Sequence, residues 1–358
     1  MRVLITGICG FVGCQLALRL REHISELDVF GVDNLSRPGS WLNVATLQHC
    51  GIRVLHGDIR CSSDLASIPQ IDWVIDAAAN PSVIAGVDDR TNSRQLVETN
   101  LGGTINLLEL CRERTAGLIL LSTSRVYSIP PLAAVKTHVV QDAFVPTTDQ
   151  LFPPGLSPLG ISEDFSTASP VSLYGATKLA SEHLALEYAE AFGFPVFVNR
   201  CGVLAGAGQF AQPSQGIFAF WIHSFRERRP LRYIGFDGGG YQVRDCLHPT
   251  DLAKLIAMQL TQSTVGKPRV LNVAGGRDNS MSLRQLTGWC ESRFQRMPVG
   301  TEPISRPYDL PWLVLDSQQT ADVWNWRVET PLTAILTEIA DFADQHPDWL
   351  SLTSGEVR

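Results

Sequence analysis

The sequence predicts a doubly wound α/β protein: a parallel sheet with helices on both faces, followed by a smaller α/β lobe. Three observations predict it. First, Val3-Leu4-Ile5-Thr6 is a short apolar run, and Gly7, Gly10 and Gly13 follow it before Leu16, Leu18 and Leu20 open a helical stretch. Second, strand-length apolar runs and helical stretches alternate through the first half of the chain. Third, the second apolar run, Asp28-Val29-Phe30-Gly31-Val32, ends in Asp33, at the distance from the glycines (about 20 residues) where a dinucleotide-binding unit carries its acid.

In chain order, strands are expected at 2–6, 28–33, 52–56, 72–76, 117–122 and 195–199, and helices at 11–23, 40–49, 91–114 and 173–192. Such alternation implies parallel strands, because each parallel connection needs a crossover, usually a helix. Gly7 lets the chain turn, Gly10 lets the backbone approach a pyrophosphate, and Gly13 lets helix and strand pack closely. The phosphates would lie on the helix N-terminus at Phe11 and Val12, where unpaired N–H groups and the dipole favour anions. Asp33 would accept hydrogen bonds from ribose hydroxyls and repel a 2′-phosphate, which favours NAD over NADP. Asn34, Ser36 and Arg37 follow in the same loop; Arg37 could hold a 2′-phosphate but is expected to pack on the adenine. Asp58, with Ile59, ends the third strand segment and is open between two roles: contact with the adenine amino group, or a helix-cap or turn carboxylate.

Residues 129–170 break the rhythm with many Pro, Ser and Thr. A loop of that length is expected to be a lid or substrate-binding insertion, with a surface excursion or subunit contact as the alternative. Beyond about residue 200, short strands at 231–234, 242–246 and 269–273 and helices at 214–227, 249–262, 282–296 and 331–345 suggest the smaller lobe. The expected organisation is therefore a Rossmann-type domain over 1–200 and a mainly substrate-binding lobe over 201–358, with some segments returning to the first domain. The active site would lie in the cleft between them.

A net charge of −7 and the lack of an offsetting basic stretch argue against nucleic acid as a partner. The densest basic run, 226–232, is short enough to be a helix end or local anion site. No apolar run reaches membrane-spanning length, and the N-terminal segment lacks a secretory cleavage pattern, so neither a membrane span nor a signal peptide is expected. The eight cysteines lack paired metal spacing. Buried free thiols, at Cys14, Cys111 and Cys201 for example, and a cytoplasmic location are expected, with no bound metal. Cys9 sits inside the glycine turn, open to oxidation, although a small neutral side chain is the simpler account.

The chemistry concentrates in two segments. Tyr174 and Lys178 stand four apart at the start of a helix rich in Ala, Leu and Glu, and so share a face. An ammonium near a phenol favours the phenolate, which can take a proton from a substrate hydroxyl while a hydride leaves the same carbon. Lys178 could also bond the nicotinamide ribose. Upstream, hydroxyls crowd the carboxyl end of the fifth strand in Ser122-Thr123-Ser124-Arg125-Val126-Tyr127, where Thr123 or Ser124 could bond the substrate oxygen.

Together these residues resemble the extended short-chain dehydrogenase/reductase family over nearly the whole chain. The resemblance implies that Thr123, four residues before Tyr127, is the catalytic hydroxyl and that Tyr174 and Lys178 are the catalytic dyad. It also implies that Ala77-Ala78-Ala79 lines the cofactor and that Asn100 braces the active-site strand. Arg244, in Gln242-Val243-Arg244-Asp245, and Arg306, in Arg306-Pro307-Tyr308, resemble the family's two arginines for a sugar-nucleotide diphosphate. Gly208-Gln209-Phe210 and Gln215-Gly216, followed by the Val-Arg-Asp segment, look most like the CDP-paratose 2-epimerases, which makes Ser124, Gln209 and Gln215 candidate substrate contacts. The family's dehydratases carry an acidic pair just after the catalytic Thr, whereas this chain has Ser124 and Arg125. The resemblance thus implies an NAD-dependent nucleotide-sugar epimerase acting at C2, and a homodimer joined through helices 91–114 and 173–192. The alternatives are a 4-epimerase, a net dehydrogenase or reductase, and a non-catalytic NAD-binding protein.

Overall fold

The computed structural model describes residues 1–85, 87, 92–213 and 215–354. Its centre is a parallel sheet of seven strands in the spatial order Val270–Val273, Val196–Cys201, Gly117–Thr123, Trp73–Asp76, Arg2–Thr6, Asp28–Asp33, Arg53–His56. Successive side chains of a strand point to opposite faces, and here both faces are apolar. Val3, Ile5, Ile75 and Ile119 enter one core with the helices Phe11–His23 and Pro249–Thr261. Leu4, Val74, Leu118 and Leu120 enter the other with Gly103–Arg114 and Ser172–Phe192. The continuous apolar runs in the sequence are therefore strands covered on both sides. The order of connection reverses between Arg2–Thr6 and Trp73–Asp76, the switch point where ligands of such sheets gather.

Two of the expected elements change place. The segments 249–262 and 269–273, patterned as parts of the smaller lobe, belong to the main sheet. Val270–Val273 is its edge strand, and Pro249–Thr261 packs beside the first helix. The smaller lobe keeps Ile217–Glu227, Leu283–Arg293 and Leu332–Gln345 around their own core. Its strands include Leu231–Ile234 paired with Val299–Glu302, and Val243–Leu247 flanked by Val203–Leu204, Ser280–Ser282 and Trp312–Leu313.

The helix expected over 91–114 is broken. Ser93–Val97 is α-helical, Glu98–Gly102 is a π turn, and Gly103–Arg114 resumes the α-helix. The Asn100 side chain sits in that turn and bonds both backbone groups of Asn80, at 2.8 and 3.1 Å, and the Thr177 hydroxyl at 3.2 Å. Thr91 and Ser214, the first residues of two expected helices, lie outside the described residues.

Residues 129–170 hold a short helix, Ile129–Ala133, a hairpin of Thr137–Val140 with Ala143–Pro146, and a two-residue ladder. The hairpin's turn is tied down: the Asp142 carbonyl accepts the Ser282 hydroxyl at 2.6 Å, and the Gln141 carbonyl accepts the Gln285 amide at 2.8 Å. Leu132, Leu156, Ile161 and Phe165 pack with Leu313, Val314 and Leu315 in a further core. Among the described residues, none of 129–170 lines the cleft.

Candidate active site

A cleft of about 880 Å³ opens between the carboxyl ends of the sheet strands and the smaller lobe. Its floor begins at the glycine turn. Gly7 takes the left-handed conformation, φ +61°, and donates its N–H to the Val32 carbonyl at 2.9 Å. A Cβ at Gly13 would fall 2.2 Å from the Gly7 carbonyl oxygen, so only glycine lets this helix start so close to the strand. At Gly10 the one nearby atom is the Gly7 oxygen at 3.1 Å, which leaves its backbone open to the cleft. The first helix carries no acidic residue in its first turn and no side-chain cap, so its N–H groups remain available to an anion.

Asp33 is buried at the end of its strand. Its carboxylate accepts the Cys9 N–H at 2.9 Å and the Leu35 N–H at 2.8 Å. Burial raises its pKa against the pull of these N–H groups. The Gly10 N–H also acts on it, and a carboxylate's four or so lone-pair sites still leave room to accept from a ribose diol. Glycine cradle and carboxylate together fit a dinucleotide of the NAD type. Burial pushes the Cys9 thiol up to about 12, leaving little thiolate to oxidise.

Two residues of the adenosine end behave differently from the simplest expectation. Arg37 does not lie free over an adenine: its guanidinium crosses to the smaller lobe and bonds the Gln215 side-chain oxygen and, at 3.4 Å, the Phe210 carbonyl. Gln215, a candidate substrate contact, is thereby engaged with Arg37. Asp58 is a turn carboxylate that lines the cleft. It accepts the Arg60 N–H and the Asn34 amide, both at 2.9 Å, and the Arg60 guanidinium holds it below the usual carboxylate range.

The reacting end is built where Gly117–Thr123 meets the helix Ser172–Phe192. Ser172 has a positive φ of 71°, and its hydroxyl accepts the Gly175 N–H at 3.1 Å, capping the helix. A Cβ on Gly175 would lie 2.2 Å from the Arg125 carbonyl oxygen, so this glycine lets the 124–126 turn dock against the helix. Tyr174 is 7% exposed and faces Thr123. Burial pushes its phenol up to about 12, while the bond from Thr123 and the Arg125 guanidinium pull the other way. Lys178 lies behind the cleft wall, 2% exposed; burial lowers its pKa, and Asp76 and Glu182 oppose that.

The expected residues Gly7, Gly10, Phe11, Val12, Gly13, Asp33, Asn34, Ser36, Arg37, Asp58, Ile59, Ala77, Ala78, Ala79, Thr123, Ser124, Tyr174, Gln209, Gln215, Arg244 and Arg306 all line this one cleft. Lys178 and Asn100 stand behind it. Gln209 donates its amide to the Leu204 carbonyl at 2.7 Å. Arg244 pairs with Asp309 at 2.8 Å, and Arg306 bonds the Pro213 carbonyl at 3.0 Å. Sequence reasoning missed Asp76, a buried carboxylate that accepts the Thr6 hydroxyl at 2.7 Å and the Thr104 hydroxyl at 3.1 Å. Thr6 in turn accepts the Ala78 N–H at 3.1 Å, so this chain of bonds positions the turn after the fourth sheet strand. Its signal was an acid at the carboxyl end of a strand. Also missed was the buried pair Arg200–Glu182, which the Ser122 hydroxyl joins.

Fold and cleft define a dinucleotide-dependent enzyme of the doubly wound class. Residues 3–274 match the NAD dependent epimerase/dehydratase family, and the chain belongs to it. NAD is its cofactor. The chain is 30% identical to CDP-paratose 2-epimerase of Salmonella typhi over 348 residues, covering 91% of this chain and 94% of that one. It is 28% identical to a probable dTDP-glucose 4,6-dehydratase of Sinorhizobium fredii, over 81% of this chain and 75% of that one. The structure of Thermus thermophilus UDP-glucose 4-epimerase with NAD superposes with a TM-score of 0.72 at 25% identity, over 96% and 99% of the two chains.

Proposed function

We propose that this protein inverts one carbon of a nucleotide-diphosphate sugar, at C2, by transient oxidation to a keto-sugar. The observation that carries the reading is that Thr123 and Tyr174 share one cleft with Arg244 and Arg306. Tyr174 is the base that takes the hydroxyl proton and later returns it, Thr123 bonds the same oxygen, and Lys178 supports the dyad from behind. Bound NAD supplies a reversible acceptor for the hydrogen on carbon. The glycine turn at 7–13 and Phe11 and Val12 hold its phosphates, Asp33 its ribose, and Asn34, Ser36, Asp58, Ile59 and the 77–79 turn its flanks. Arg244 and Arg306 keep the diphosphate anchored while the sugar turns over, so that remote binding energy serves the central step.

Choice of C2 is supported by the relative from Salmonella typhi, a 2-epimerase similar over nearly its whole length. Dehydration is disfavoured because Ser124 and Arg125 offer no carboxyl group for elimination. The chain is also proposed to pair with itself through the helices 103–114 and 172–192, where Ile105, Leu173 and Phe192 expose apolar surface. The free thiols fit a reducing compartment such as the cytoplasm. Among the described residues no helix is long and apolar enough to cross a membrane.

The test is incubation of purified protein with a panel of CDP-, UDP- and dTDP-linked sugars without added NAD. C2 epimers are expected, and Tyr174→Phe should abolish them. Inversion only at C4 would overturn the C2 assignment. Stoichiometric release of NADH would overturn the epimerase reading, and undiminished turnover by Tyr174→Phe would remove the base.

A further inference from the structure

We propose that Arg125 is a third arginine of the diphosphate anchor and holds the phosphate that carries the sugar. This rests on the reading of the cleft as a nucleotide-diphosphate-sugar site and adds a substrate-binding residue to it.

Direct contacts place the Arg125 side chain in the anchor. It lines the cleft together with Arg244 and Arg306. Its Nη1 donates to the Tyr308 carbonyl at 3.2 Å. The next residue, Asp309, takes Arg244 on its carboxylate at 2.8 Å, so consecutive residues each hold one arginine. Arg306 belongs to the same short turn, in which the Asp309 N–H reaches the Arg306 carbonyl at 3.3 Å. Residues 306–309 thus bring together three guanidiniums that line one cleft, with one carboxylate among them.

Charge says what this cluster is built to meet. Among the described residues no carboxylate oxygen lies within 4.0 Å of the Arg125 guanidinium. Burial, and after it the charge of Arg244, pull its pKa down to about 10, so it is a cation at neutral pH that lacks a counter-charge. Arg244 and Arg306 with Asp309 amount to a single positive charge, and Arg125 doubles it. A nucleotide-sugar diphosphate carries one negative charge on each phosphate, which three arginines and one aspartate balance and two arginines do not. A guanidinium fork also matches phosphate oxygens in shape. Of the other arginines lining the cleft, Arg37 is committed to Gln215 and Phe210, and Arg232 is exposed on the strand Leu231–Ile234. Chain position selects the phosphate. The Arg125 N–H donates to the Thr123 hydroxyl oxygen at 3.2 Å, so the residue shares a turn with the hydroxyl that meets the reacting sugar and stands on the sugar's side of the anchor.

The experiment titrates the NAD-loaded protein with CDP, UDP and dTDP, and with the matching monophosphates, which lack the sugar-side phosphate; calorimetry reads the affinities. Arg125→Gln can still donate to the Tyr308 carbonyl, so it removes the charge and the fork while the wall keeps its bond. It should weaken binding of the preferred diphosphate by about 10- to 100-fold, the value of a hydrogen bond to a charged group, and leave the monophosphate within about twofold of the parent. Arg125→Lys keeps the charge without the fork and should lose about half as much on a logarithmic scale, about 3- to 10-fold. This variant carries the test if Arg125→Gln does not fold. Unchanged diphosphate affinity in the variant that carries the test, or equal losses for diphosphate and monophosphate, overturns the proposal. The titration needs no turnover, so its result stands apart from the sugar panel. If the parent binds none of the diphosphates, the nucleotide-sugar reading falls and Arg125's role with it. If the parent inverts a nucleotide sugar while Arg125→Gln binds the diphosphate undiminished, Arg125's role alone falls.

Discussion

Replacing Arg200 by Met tests whether the buried pair behind the cleft holds the catalytic strand and helix together. The Arg200 and Glu182 side chains are 8% and 2% exposed, and Nε and Nη2 reach the carboxylate at 3.2, 3.1 and 2.7 Å. Burial alone would lower the Arg200 pKa, yet the Glu182 bonds and charge raise it on balance. Arg200 also donates to the Tyr127 hydroxyl at 3.3 Å, and Tyr127 donates to Asn272 at 2.7 Å. Three strands and a helix therefore meet at one ion pair. Arg200→Met leaves Glu182 buried with its charge and, among the described residues, the Ser122 hydroxyl as its remaining hydrogen-bond donor, with the Lys178 ammonium facing it. Removing one partner of such a pair costs about 3–5 kcal/mol. At roughly 2.1 cal/mol/K per residue, a chain of 358 residues unfolds with an entropy near 0.75 kcal/mol/K, so the loss corresponds to a fall in Tm of about 4–7 °C. Calorimetry at neutral pH measures it. The double variant Arg200→Met/Glu182→Gln removes the stranded charge and should regain at least half of the loss. A fall below about 1 °C in the single variant, or a double variant no better than the single, would refute the reasoning.

Three further outcomes are expected. Gly13→Ala places a Cβ 2.2 Å from the Gly7 carbonyl and 2.8 Å from the Ile8 Cα, both backbone, and should cost about 1–3 kcal/mol together with most bound NAD, read by calorimetry and cofactor content. Asp33→Ala should weaken NAD binding by about 10- to 100-fold in a fluorescence titration, the value of a lost charged hydrogen bond; undiminished affinity would show that the carboxylate holds no ribose. Burial raises the Asp245 pKa to about 6 against the N–H groups of Leu315 and Val203 and the charge of Arg244. The folded state then binds the extra proton between about pH 4 and pH 6, so this group's contribution to stability is full below pH 4 and falls as pH rises, by roughly 3 kcal/mol. The stability of Asp245→Asn relative to the parent should rise by that amount from pH 4 to pH 7, and a flat difference would contradict the assignment.

Much of this protein is written in local pattern. Gly7 and Gly13 are legible because a left-handed turn and a 2.2 Å approach to backbone demand glycine, and Gly10 because its backbone must stay open to the cleft. Apolar runs such as 118–121 are legible because a strand covered on both faces needs them. Tyr174 and Lys178 are legible because a helix puts residues four apart on one side. What depends on meetings between distant segments was out of reach. Val270–Val273 is four residues long, and nothing within it says which sheet it joins. Arg37 was assigned by its distance from Asp33, but its bonds run to residues 210 and 215, on another lobe. The insertion 129–170 is anchored by Ser282 and Gln285 and packs on 313–315, far along the chain.

The sequence by itself determined the doubly wound sheet and the glycine turn, which follow from short-range sterics and periodicity; helix spacing nominated Tyr174 and Lys178 as a pair, and family resemblance nominated Thr123. Only the tertiary structure decided which charges surround that tyrosine. Asp76 and Glu182 face the lysine, and Arg125 is set beside Gly175 and held by the Tyr308 carbonyl. The electrostatic field at a buried group is a sum over neighbours from every packed element, and no stretch of sequence contains that sum.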